Sequence, residues 1–159
     1  MKPIQQWFDE YGESHQNATN KLIHWICVPT IFFSIVALLS EVSLRFLMDF
    51  LPESLSPFAN LASVVLLVVI VFYIRLSPTM AIGIALFAIL CMALVIPMRS
   101  LSIPVWGSAL ILFTAAWIGQ FYGHKVEGKK PSFLQDLSFL LIGPAWLMGF
   151  LYKKVGIKY

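Results

Sequence analysis

Charge is what this chain has least of. Its 11 Lys and Arg and 8 Asp and Glu make up 12% of 159 residues, against 59% hydrophobic, where a soluble domain carries about 25% charged residues. With a mean hydropathy of +0.83 there is too little polar surface to solvate a globule, so a water-soluble fold is excluded. Cysteine is almost absent. Cys27 and Cys91 lie in separate apolar runs without CxxC spacing, which excludes a zinc knuckle or a disulfide framework and leaves two buried thiols. No linker, repeat or low-complexity tract divides the chain, so one membrane-embedded domain over 1–159 is expected. Residues 61–74 and 80–98 carry almost nothing that ionises or coordinates, and a small transporter, which needs such groups in mid-membrane, is excluded with them.

What the chain does have is long apolar runs. Four of them, 22–40, 59–76, 79–98 and 104–123, reach the roughly 17 to 25 residues that cross a bilayer as helix. A fifth, 137–152, is shorter and holds Gly143-Pro144 in its middle. It reads as a broken or re-entrant helical segment, because proline removes a backbone donor. The lysines test this choice. With four crossings and a returning fifth segment, Lys2, Lys21, Arg75, Lys125, Lys129, Lys130, Lys153, Lys154 and Lys158 share one face, and only Arg45 and Arg99 lie on the other. A full fifth crossing would erase that bias, so both termini are expected on the cytoplasmic side. The net charge of +3 then reflects topology and attraction to anionic membrane lipid, with no nucleic-acid partner. No cleavable signal is expected at the N-terminus, where Trp7, Phe8, Asp9, Glu10 and Tyr11 precede the first apolar run without a small-residue cleavage site.

Residues 1–13 are predicted to form an interfacial helix whose Ile4, Trp7, Phe8 and Tyr11 make one apolar stripe against headgroups. Trp7, Trp25, Trp106 and Trp146 read as interfacial belt residues. Cap-forming residues cluster at 14–19, where a turn into the first span is plausible. The segment 41–57 is expected to lie along the far interface, and the short connections 75–78 and 99–104 force antiparallel neighbours.

The polar residues that remain gather at one membrane face. Asn17, Asn20, Lys21 and His24 fall on one stripe of the helix entering the first span, and Trp117, Gln120, His124 and Glu127 on one stripe leaving the fourth. The two stripes can meet. His15 joins His24 only if the backbone turns between residues 16 and 19, because nine residues of unbroken helix would set the rings about 180° apart. Imidazole is a common ligand for iron, zinc and copper. Two ligand sets follow: His15, His24 and His124, or a two-His-one-carboxylate face of His24, His124 and Glu127. Zinc would accept either, and a haem with His24 and His124 as axial ligands is a third arrangement. Lys21 can hold an anionic headgroup or a substrate carboxylate, and Gln120, Asn17 and Asn20 can orient imidazole N–H groups or stitch the helices together. A non-catalytic membrane protein whose histidines bind lipid headgroups or a partner stands as the alternative.

Residues 11–34, YGESHQNATNKLIHWICVPTIFFS, and 119–133, GQFYGHKVEGKKPSF, pair H-x4-N-x3-H-x4-P with Q-F-x-G-H followed by an acidic residue and a proline. In these two blocks the chain resembles the Mpo-type 2-hydroxy fatty acid dioxygenases. The resemblance implies a non-haem Fe(II) enzyme of fatty-acid α-oxidation that uses O2 to shorten a 2-hydroxy fatty acid by one carbon. The family's essential histidines fall on His15, His24 and His124, which makes these the expected metal ligands. Glu127, Gln120 and Lys21 are the catalytic candidates, with Asn17, Asn20, Lys21 and Tyr122 for substrate binding. The chain departs from the fungal pattern at Ser14-His15, where a histidine doublet stands, and at Glu127, one position earlier than the family's acidic residue. The short, lysine-tailed form resembles bacterial members, which implies the inner membrane, or the endoplasmic reticulum in a eukaryote. Oligomeric state has no signal in the sequence.

Overall fold

A computed structural model describes residues 2–50, 52–131 and 138–159. The first residue of the fifth apolar run, Leu137, and the last two of the second family block, Ser132 and Phe133, lie outside the described residues. Among those described there are seven α-helices and no strand. They are α1 (Ile4–Gly12), α2 (Ala18–Ser40), α3 (Arg45–Met48), α4 (Leu61–Leu76), α5 (Pro78–Met98), α6 (Val105–Glu127) and α7 (Phe139–Val155).

Local chemistry sets their limits. The Asn17 side chain accepts from the backbone N–H groups of Thr19 and Asn20 and starts α2. Asn60 caps α4 through the Ser63 N–H, and Ser77 caps α5 ahead of Pro78, whose missing N–H costs nothing at that position. Gly128, at φ 72°, ends α6; the left-handed backbone there suits glycine alone.

Three helices, α2, α5 and α6, are long and apolar enough to cross a membrane, at 23, 21 and 23 residues. The described residues are thus all-helical, with three candidate membrane spans. The expected second span is shorter, because the Asn60 cap and the extended Ser77 trim α4 to 16 residues, roughly 24 Å of helix against about 30 Å of hydrocarbon.

α2 lies along α6, α4 pairs with α5, and α7 packs on α1 and α5. The aromatic stripe of α1 does not face headgroups. Trp7, Phe8 and Tyr11 are buried, in one cluster with Phe139, Ile142 and Trp146 of α7, since a neighbouring apolar helix removes more of their surface from water than an interface does. Trp146 is therefore a core residue, whereas Trp25 and Trp106 remain exposed. At the other end, Glu41 and Arg99 approach to 3.9 Å, Ser43 bridges Asn60, and Phe50 is exposed.

The described part of the fifth run lies in α7, one helix of 17 residues that passes through Gly143-Pro144 without a break. Pro144 leaves the Leu140 carbonyl without its helical donor; the Tyr73 hydroxyl, from α4, donates to the neighbouring Leu141 carbonyl and ties α7 to α4.

Candidate metal centre

The site is built where α2 begins and α6 ends. These helices come close because α6 carries Gly119 and Gly123 on the shared face. A Cβ at Gly119 would lie 2.7 Å from Cys27 Sγ, and one at Gly123 would overlap Asn20 Oδ1. Small residues spaced by four let apolar helices approach closely. The Gly119-x3-Gly123 spacing was the available sequence signal for this contact.

Glu127 fastens the two ends. One carboxylate oxygen accepts from the Gln16 N–H at 2.8 Å, and the other from the Asn17 N–H at 2.9 Å and Asn20 Nδ2 at 3.0 Å. Both oxygens are thus spent on the N-terminus of α2, where backbone donors lack helical partners. The ligand set of His24, His124 and Glu127 is not assembled in this structure. Asn20, fully buried, also donates to the Ser14 carbonyl at 3.1 Å, which holds the turn at residues 13–17. That turn carries His15 back toward α2.

His15, His24 and His124 are all buried, and their ligand atoms lie within 4.8 Å of one another. Ring centroids are 4.2 Å apart for His15 and His24, 5.0 Å for His15 and His124, and 4.9 Å for His24 and His124. The tautomers follow from the outer ring atoms. His15 Nδ1 stands 2.6 Å from the Tyr11 carbonyl, and His24 Nδ1 2.9 Å from the Asn20 carbonyl. A carbonyl only accepts, so each Nδ1 carries the proton and each Nε2 keeps its lone pair. Those two Nε2 atoms face each other at 2.9 Å. Two lone pairs at that distance repel unless a proton or a metal ion lies between them. Two nitrogens each about 2.1 Å from a metal and at right angles would be about 3.0 Å apart, so the donor set fits a divalent ion. His124 Nδ1 is buried without a hydrogen-bond partner.

Aromatic rings hold His15 from behind. Tyr11 stacks on it at 4.1 Å and 14°, and Trp146 lies 5.4 Å away. Burial, reinforced by His24, pushes the His15 imidazole down to about 3, so the ring is neutral and able to ligate at physiological pH. Tyr11 and Trp146 were not singled out from sequence as site residues. Tyr11 stands four positions before His15 in the last turn of a helix, and that spacing was the signal for its carbonyl contact.

Of the remaining candidates, Gln120 is buried one turn before His124 and lines the same cavity as His24 and His124. Asn17 is engaged as the α2 cap. Lys21 is half-buried on α2, and Tyr122 is 59% exposed. Among the described residues no hydrogen bond or ion pair joins either to the imidazoles.

The fold and site define a class: a helical protein with candidate membrane spans and a buried three-imidazole cluster where two of those helices meet. The particular family follows from comparison with known proteins. The family model described as 2-hydroxy-palmitic acid dioxygenase Mpo1-like matches residues 1–155, and the chain belongs to the Mpo1-like family. It is 34% identical over 147 residues to 2-hydroxy-palmitic acid dioxygenase MPO1 of Saccharomyces cerevisiae, a match that covers 90% of this chain and 76% of the yeast protein. No solved structure matches the chain.

Proposed function

We propose that the chain is a non-haem Fe(II) dioxygenase of fatty-acid α-oxidation, which converts a 2-hydroxy fatty acid and O2 to a fatty acid one carbon shorter. The atoms balance with the lost carbon leaving as CO2 and the remaining hydrogen and oxygen as water. The observation that carries this reading is the pair of opposed Nε2 lone pairs of His15 and His24 at 2.9 Å, with His124 beside them. Family membership supplies the reaction class, and the yeast relative's name supplies the substrate class.

His15, His24 and His124 would hold Fe(II), which when bound would supply O2 activation and chelation of an α-hydroxy acid. The chain's own groups do the rest. The Tyr11 and Asn20 carbonyls fix two rings in the ligating tautomer, as outer-shell partners do in metal sites. Gln120 offers an amide to the substrate carboxylate from inside the cavity. Lys21, one turn before His24, is the nearest cation on α2 for the same carboxylate. Glu127 positions α2 against α6, and the apolar surroundings exclude water. Asn17, spent as a cap, and Tyr122, exposed, have no part in this assignment.

Connectivity supports four crossings. The Glu41–Arg99 pair puts the C-terminal ends of α2 and α5 at one face, and the imidazole cluster puts the start of α2 and the end of α6 at the other. On this reading α4 carries the chain back across, short as it is. The lysine-rich face, with both termini and the metal centre, is placed on the cytoplasmic side of a bacterial inner membrane.

The test is anaerobic loading of the purified protein with Fe(II), then mass spectrometry of 2-hydroxypalmitate after air is admitted. A product one carbon shorter, lost in His24→Ala, is the expected result. Iron bound without that product removes the reaction; normally folded protein that binds no metal removes the centre, and favours a scaffold.

A further inference from the structure

One cavity of about 390 Å³ opens from the imidazoles into the helix bundle, within the size range of small-molecule pockets. Its polar groups sit at one end. Tyr11, His24, Gln120 and His124 line the head, beside Trp117. Beyond them the lining is aliphatic and aromatic: Val28 and Ile31 on α2, Leu66 on α4 and Phe113 on α6. The far end is made by Val36, Leu39 and Ala62, of which Val36 and Ala62 are 3% and 0% exposed and cluster with Cys91 and Met92 of α5.

From His24 to Leu39 along α2 is roughly four turns, or 22 Å. Two acyl tails laid end to end span the about 30 Å hydrocarbon layer, so this length accepts one long-chain tail nearly straight. The wall includes Ile35 and Leu140, 41% and 43% exposed. In a bilayer those residues meet lipid, so the slot is reached sideways from the membrane.

We infer that this slot holds the substrate's acyl tail, with the carboxyl end at the imidazoles and Gln120, and that Ala62 with Val36 and Leu39 sets chain length. The inference rests on the proposed reaction for the identity of the head group. The tail assignment rests on the slot alone: its ligand is polar at one end and apolar over about four helical turns.

The test uses the full-length protein in nanodiscs, metal-free and metal-loaded, with 2-hydroxypalmitate carrying a diazirine at its terminal methyl. Photolysis is expected to label Val36–Leu39 and Ala62–Leu66. Labels on the outward residues Ile82, Ile89, Ile111 or Ile118 would overturn the inference, as would equal labelling by a phospholipid with a diazirine-bearing tail. Ala62→Phe adds a second readout, binding measured by displacement of the unlabelled acids. It is expected to weaken 2-hydroxypalmitate by about tenfold or more, from two or more excluded methylenes, and to leave 2-hydroxydecanoate within about twofold. Equal losses for both acids, in protein that still unfolds cooperatively, would also overturn it. Terminal labelling does not need turnover. Deep labels without product sink the reaction and keep the slot, and product with surface labels does the reverse.

Discussion

His15 and His24 point their Nε2 lone pairs at one another across 2.9 Å, each with its Nδ1 committed to a carbonyl of its own turn. Such a pair is repulsive when empty and strongly stabilised by a cation, so metal binding is expected to appear as stability. Co(II) or Zn(II), which do not turn over with air, should raise the unfolding midpoint by about 5–10 °C at a hundredfold the dissociation constant. In His24→Ala or His124→Ala the rise should vanish. A midpoint in wild type that ignores metal would sink the centre.

Glu127 joins α6 to the first turn of α2 through three N–H donors on Gln16, Asn17 and Asn20. Glu127→Gln keeps the shape but removes the charge and one acceptor oxygen. With the carboxylate partly open to solvent, a loss of about 1–2 kcal/mol is expected. Weakening this strap should also loosen the metal, because Asn20 and the His15 turn hang from it. Isothermal titration with Co(II) checks this: affinity should fall severalfold in Glu127→Gln and be abolished in His124→Ala. Unchanged affinity in Glu127→Gln would mean that the strap serves stability alone.

Tyr73 is fully buried, and its hydroxyl reaches the Leu141 carbonyl in the turn that Pro144 interrupts. Tyr73→Phe removes this tie between α4 and α7 and should cost about 0.5–1.5 kcal/mol. Pro144→Ala would return a donor to Leu140, not to Leu141, so the two changes should be close to additive. A double-mutant cycle in a detergent unfolding assay reads the coupling; a coupling above about 1 kcal/mol would show that the hydroxyl serves the proline turn after all.

The histidines were legible because they were rare, because His24 and His124 each shared a helical stripe with amide side chains, and because cap-forming residues marked the turn that His15 needs. The two ends of the molecule were read differently. Trp7, Tyr11 and Trp146 carry the same amphipathic rings whether they face headgroups or a neighbouring helix, and only the packing of α1 on α7 decides between them. Glu127 was ambiguous for a similar reason: a carboxylate three residues after a histidine is as well placed to ligate as to cap a neighbouring helix, and the path of residues 13–17 settles which donors it meets. Gly143-Pro144 suggested a break, yet the one donor it removes, at the Leu140 carbonyl, does not end a helix that is packed on α1 and α5.

Gly119 and Gly123 offer the sharpest separation of packing from chemistry, since both bring α6 against α2 but meet different atoms. An added methyl at Gly119 would press on Cys27 Sγ at 2.7 Å, the end of a small side chain that can be shortened. Gly119→Ala alone should cost about 1–3 kcal/mol. Cys27→Ala removes the obstructing sulfur, so the double variant should recover at least about 1 kcal/mol of the summed losses. At Gly123 the methyl would overlap Asn20 Oδ1, and Asn20 cannot retreat while its Nδ2 holds the Ser14 carbonyl and Glu127. Gly123→Ala should therefore force the helices apart one residue from His124 and cost metal affinity, which no change at Cys27 restores. Thermal unfolding and Co(II) titration of the four variants decide the matter. If Gly123→Ala binds metal as tightly as Gly119→Ala with Cys27→Ala, the close approach at Asn20 is not what sets the third imidazole in place.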